Sequence, residues 1–221
     1  MTCSTDPCTF FRFIKKVFGI VTLQLFLTAF VAIGIISSPS AQQYLATSLW
    51  LPLLLAISSL LLLIPIYIYK DRHPVNLILL GIWTSTFGVT VGISCTFYAP
   101  IVVAQALVIT ASVVGALTCY TLWATRRGVE FTWMGPLLFS ALWAMIVWGF
   151  IQIFFHPGPI GQMIYSLLGA FIFSGYIVFD VHLLASKMDV DEYIWGSVAL
   201  YLDIINLFMY ILRIVGQSQR D

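Results

Sequence analysis

Asp180 and Asp203 are the residues of this chain best placed to do chemistry, because each lies inside a long apolar run while most other charged residues fall between runs or near the termini. A carboxylate near the middle of a membrane helix costs roughly 2.5 to 3.5 kcal/mol on insertion scales, so two of them require a compensating role. Two carboxyls that meet in a dry interior cannot both ionise cheaply, since desolvation and mutual repulsion each oppose the second charge. They would share a proton and titrate as a unit, which is the chemistry of a pH sensor. The plainer alternative is that each aspartate hydrogen-bonds a neighbouring helix and holds the helices together.

The runs that carry them must place both carboxyls inward. Residues three and four apart share a helix face. Gly196, Ala199, Asp203, Asn206 and Tyr210 form a stripe of small and polar side chains, whereas Tyr201, Ile204, Phe208 and Ile211 form a bulkier one. At 100° per residue, Gln162, Ser166, Gly169, Phe173, Tyr176 and Asp180 line up within about 40° of each other. Both aspartates are thus expected to face the protein interior, with Tyr176, Asn206 and Tyr210 as a supporting polar face. The two runs are antiparallel, so the carboxyls can meet, although spacing alone does not set their distance. No firmly bound metal and no cofactor are expected; transient calcium near Asp180 and Asp203 is compatible with two carboxylates.

The composition places these runs in a bilayer. Of 221 residues, 61% are hydrophobic and 9% charged, with a mean hydropathy of +1.01. A soluble domain carries about 25% charged residues. The net charge of +1 provides no clustered basic face, which sets nucleic-acid binding aside. About 20 apolar residues cross a hydrocarbon core, and seven such runs occur, near 18–37, 49–69, 76–98, 101–123, 132–155, 161–184 and 193–213. The expected fold is therefore all-α, a bundle of seven transmembrane helices. It comprises a short cytosolic segment 1–17, a membrane domain 18–213 and a tail 214–221. With no small-residue cleavage site after Arg12, Lys15 and Lys16, the first helix is expected to stay as a signal anchor.

Lysine and arginine alternate between loops: Arg12, Lys15 and Lys16 precede the first run, Lys70 and Arg72 follow the second, Arg126 and Arg127 the fourth, and Lys187 the sixth. The positive-inside rule then puts the N-terminus in the cytosol. Arg213 and Arg220 dissent, and a seventh segment that enters and returns is the alternative. Ala111, Gly115 and Cys119 recur every four residues, as do Ser166, Ala170 and Ser174, and both series read as helix contact surfaces. Cys95 and Cys119 read as buried small hydrophobes, and Cys3 and Cys8 likewise, with palmitoylation near the membrane face as the alternative for the last two.

The sequence GYIVFD ending at Asp180, followed by DEYIWGSVALYLDIINLF with Asp203, resembles the C-terminal signature of the Bax-inhibitor family of membrane proteins. FIKKVFGIVTLQLFLT (13–28), HPVNLILL (73–80) and QALVIT (105–110) resemble its lifeguard branch, which includes Golgi anti-apoptotic proteins. The resemblance covers residues 11 to 214. It implies a seven-helix bundle in Golgi or endoplasmic-reticulum membranes, a calcium leak governed by pH, and suppression of cell death, with cell-death regulatory membrane proteins as candidate partners. It also implies that Asp180 and Asp203 are the proton-sensitive pair, and that Lys70 stands where bacterial relatives carry a latching arginine. Lysine keeps the charge but not the bidentate fork. Many members carry threonine after the first aspartate; here it is Val181, followed by His182, which reads as an interfacial side chain.

Three functions remain open at this level: a pH-sensitive calcium-permeable channel or leak, a non-conducting membrane protein that inhibits cell death by binding partners, and a proton-coupled cation exchanger. No enzyme is expected, because Asp180 follows Phe179 and Asp203 follows Leu202, without the glycine-aspartate motif of intramembrane aspartyl proteases. A receptor or retinal protein is disfavoured too, since the seventh run lacks NPxxY and has Asp203 where a retinal lysine would sit.

Overall fold

The computed structural model describes residues 7–38, 50–69, 72–155, 157–186 and 192–219. Lys70, Cys3 and Arg220 lie outside them. The described residues form seven α-helices and no strand: α1 (Pro7–Ile36), α2 (Trp50–Ile68), α3 (Val75–Cys95), α4 (Pro100–Arg126), α5 (Met134–Phe154), α6 (Pro159–Ser186) and α7 (Tyr193–Ser218). Each expected run lies on one helix. Six helices contain stretches long and apolar enough to cross a membrane, and α2 contains the shorter apolar stretch Ile57–Ile68. The protein is a multi-pass membrane protein.

Helix ends differ from the apolar runs in an instructive way. The first helix begins at Pro7, ahead of position 18, and so carries Lys15 and Lys16 as exposed residues of its first turns. Lysine is a good helix former whose long stem lets its charge reach the membrane surface, so a charge ends the apolar run without ending the helix. The last helix likewise continues past 213 to Ser218.

By internal packing the chain divides into two compact units. The first comprises Met1–Ala99 and Asp189–Tyr201, with α1 and α2 each packed along α3. On α1 the buried Val17, Val21, Gln24 and Thr28 repeat at helical spacing, opposite Leu23, Phe26, Phe30 and Ile33, each more than 60% exposed. In a bilayer that exposed face meets acyl chains, which offer no reason to bury it. Close approach of α1 and α3 is made possible by glycine: a Cβ at Gly88 would lie 3.3 Å from Thr28 Cα, and one at Gly92 would lie 3.0 Å from Ala32 Cα.

The second unit comprises Pro100–Met188 and Leu202–Asp221, with α4 and α5 each packed along α6. Here one contact surface expected from sequence is overturned. Ala111, Gly115 and Cys119 are exposed on α4, and a Cβ at Gly115 would meet no atom within 4 Å. A small-residue stripe marks where a helix could approach another, not where one does, and Cys119 is accordingly not a buried hydrophobe, while Cys95 is. Ser166 of the α6 series is buried, and Ala170 and Ser174 are half-buried.

Candidate functional site

Helices α6 and α7 bring Asp180 and Asp203 together, with the two carboxyls within hydrogen-bonding reach of each other. Carboxylates only accept hydrogen bonds, so the two can bond to each other only when one of them carries a proton. Asp203 is 7% exposed and Asp180 partly buried. Oδ2 of Asp203 is buried and accepts no hydrogen bond from an amide or hydroxyl group among the described residues. Tyr176, one turn before Asp180, stands within electrostatic reach of both carboxyls.

The remaining expected residues divide. Asn206 donates its side-chain N–H to the Leu202 carbonyl at 2.8 Å, a bond within its own helix. Tyr210 lies two turns beyond Asp203 on α7 and packs against α6, stacked on Phe173 with ring centroids 5.7 Å apart and edge-on to Tyr165 at 5.9 Å. Tyr165 in turn donates its hydroxyl proton to the Met145 carbonyl of α5 at 3.3 Å. Lys70, the candidate latch, lies outside the described residues.

Two inferences from helical spacing need correction. The bulky stripe of α7 was set against the polar one as a contrast, yet Tyr201, Ile204, Phe208 and Ile211 are all buried. Most of α7 is buried or half-buried, and a helix largely surrounded by protein has little outer face for a stripe to reveal. His182 is not interfacial: it is 2% exposed, its Nδ1 lies 3.1 Å from Thr125 Oγ1, and Phe131 meets its ring edge-on at 5.5 Å.

Sequence reasoning missed a polar network in the first unit. Tyr201, fully buried, lies with its hydroxyl 2.6 Å from Thr28 Oγ1. Thr28 donates its own proton to the Gln24 carbonyl at 2.9 Å, so Tyr201 is the donor between them. The Gln24 side chain donates to Thr84 Oγ1 at 3.1 Å, and Thr84 donates to the Leu80 carbonyl at 2.8 Å. The available signal was Gln24, Thr28 and Thr84 within apolar runs, since uncharged polar residues in membrane helices commonly bond across helices.

As a cation site the carboxyl pair is sparse. Among the described residues no group of three or more His, Cys, Asp or Glu side chains comes together. Calcium takes six to eight oxygens in a firm site, so two carboxyls could hold it only with water or neutral oxygens.

Residues 11–220 match the family described as "Inhibitor of apoptosis-promoting Bax1". The chain is 45% identical over 206 residues to "BI1-like protein" of Arabidopsis thaliana, covering 93% of this chain and 80% of that protein. It is 41% identical to "Protein LIFEGUARD 2" of the same plant, over 96% of this chain and 90% of the relative. With "Golgi anti-apoptotic protein" of Vaccinia virus (strain Lister) the identity is 35%, over 94% and 86% of the two chains. By the span of the family match and the level of these identities, the chain belongs to the Bax-inhibitor family.

Proposed function

We propose that the protein is a pH-sensitive, calcium-permeable leak of Golgi or endoplasmic-reticulum membranes that lowers stored calcium and thereby suppresses cell death. The observation that carries this reading is the pairing of the Asp180 and Asp203 carboxyls, within hydrogen-bonding reach of each other on the membrane-spanning helices α6 and α7. Loss of the shared proton replaces an attraction by repulsion of roughly 4 kcal/mol for unit charges about 4 Å apart at an effective dielectric of ~20. The doubly ionised pair calls for a counter-cation and retains calcium; the protonated pair needs none and lets it pass. Calcium release is thus expected to rise as pH falls.

The cell-death role and the Golgi location follow the names of the family and of its viral relative. Seven crossings with a cytosolic N-terminus suit the alternation of basic loops. The test is purified protein in calcium-loaded liposomes, with efflux followed between about pH 6 and pH 8, the window of physiological switches. Efflux above protein-free liposomes that grows toward acid supports the proposal. Absence of flux at every pH supports a non-conducting, partner-binding protein, and flux that needs an imposed proton gradient supports an exchanger.

A further inference from the structure

We propose that Gly169 is a positioning residue for the carboxyl pair, setting the separation of α6 and α7 at which Asp180 and Asp203 can share a proton. The inference deepens the proposed function and rests on that reading for its physiological meaning. A Cβ at position 169 would lie 2.5 Å from Cε1 and Cζ of Tyr210 and 2.7 Å from Cδ1, so the ring lies directly against the α6 backbone. Ordinary carbon contacts begin near 3.5 Å, so an added methyl demands about 1 Å of relief.

A lone tyrosine would swing aside, but this one is held. Phe173 stacks on it, Tyr165 meets it edge-on, and the Arg213 guanidinium lies 5.7 Å from its centroid. Tyr165 is itself tied to the Met145 carbonyl. The relief must then come from the helices. An O–H···O bond spans about 2.5 to 3.0 Å, so opening α6 from α7 by about 1 Å breaks it. The Asp180–Asp203 bond lies on this same helix pair, with Tyr176 the further titratable group that faces both carboxyls.

The experiment uses full-length protein in liposomes and follows the infrared C=O band of the protonated carboxyl, assigned by its loss in Asp180→Asn and Asp203→Asn. Gly169→Ala is expected to move the band to that of an unshared carboxylic acid and to displace the pH midpoint of its loss by about one unit or more. Gly115→Ala, where a Cβ would meet nothing within 4 Å, is expected to leave both unchanged. Gly169→Ala/Tyr210→Leu, which takes away the obstructing ring, is expected to restore the wild-type band. A wild-type band and midpoint in Gly169→Ala would overturn the proposal, as would failure of the double variant to restore them. Should Gly169→Ala not fold, the double variant decides alone: a folded protein with the wild-type band supports the assignment, and anything else overturns it. Calcium flux measured on the same samples separates the two claims, because a band that moves without any change in flux upholds the positioning role and removes the pair from conduction.

Discussion

Replacing Tyr201 by phenylalanine removes one hydroxyl from a fully buried residue and leaves its ring in place against Trp83 and Phe87, 5.4 and 6.0 Å away by centroid. The lost interaction is the 2.6 Å bond to Thr28. Thr28 continues to donate to the Gln24 carbonyl, so no donor is stranded. Interhelical hydrogen bonds in membranes average about 0.6 kcal/mol and reach about 1.7. This one is short and shielded from competing water, so a value near 1.5 kcal/mol is expected, about tenfold in the folding equilibrium. Thr28→Val keeps the shape of the partner, and the double variant closes a cycle whose coupling energy isolates the bond. Unfolding in bicelles, followed by steric trapping, measures it. Tyr201→Ala, which also removes the ring, should cost about 3 to 5 kcal/mol. Additivity of Tyr201→Phe and Thr28→Val within about 0.3 kcal/mol would refute the reasoning, because distant and independent sites behave that way.

Other outcomes follow from the same packing. Gly92→Val should destabilise the protein by about 1 to 3 kcal/mol through overpacking against Ala32 and Ile35, whereas Gly81→Ala, with nothing within 4 Å, should be neutral or slightly stabilising; the same unfolding assay compares them. Trp83, 1% exposed and donating from Nε1 to the Ser59 carbonyl at 3.0 Å, should cost roughly 3 to 5 kcal/mol when changed to alanine. For topology, a cysteine placed at exposed Lys15 should react with a membrane-impermeant thiol reagent from the cytosolic side of sealed vesicles, and one at Gly158 only from the other side; the reverse pattern would contradict the proposed orientation.

The helices were legible because their signal is strong. A long apolar run in a bilayer must satisfy its backbone within itself, so hydrophobicity reports helix existence directly. It does not report the ends, as Lys15 and Lys16 inside α1 illustrate, nor which face is buried. Apolar side chains suit both lipid and protein core, so Phe171, 78% exposed, and Phe173, 9% exposed, are indistinguishable by type. Of the site, the inward aspartates were legible from insertion cost and their contact was not, because it depends on the register of two helices. The Tyr201–Thr28–Gln24–Thr84 network stayed hidden for a related reason: threonine and tyrosine cost too little in a membrane helix to draw attention singly.

The central claim is that Asp180 and Asp203, joined by one proton, govern passage of calcium. Its most direct measurement is the pH profile of calcium efflux from liposomes containing Asp180→Asn, Asp203→Asn or both, over about pH 6 to 8. An asparagine at either position cannot lose the shared proton, so each variant should flatten the pH dependence and the double variant should add nothing further. A wild-type profile in all three would contradict the account.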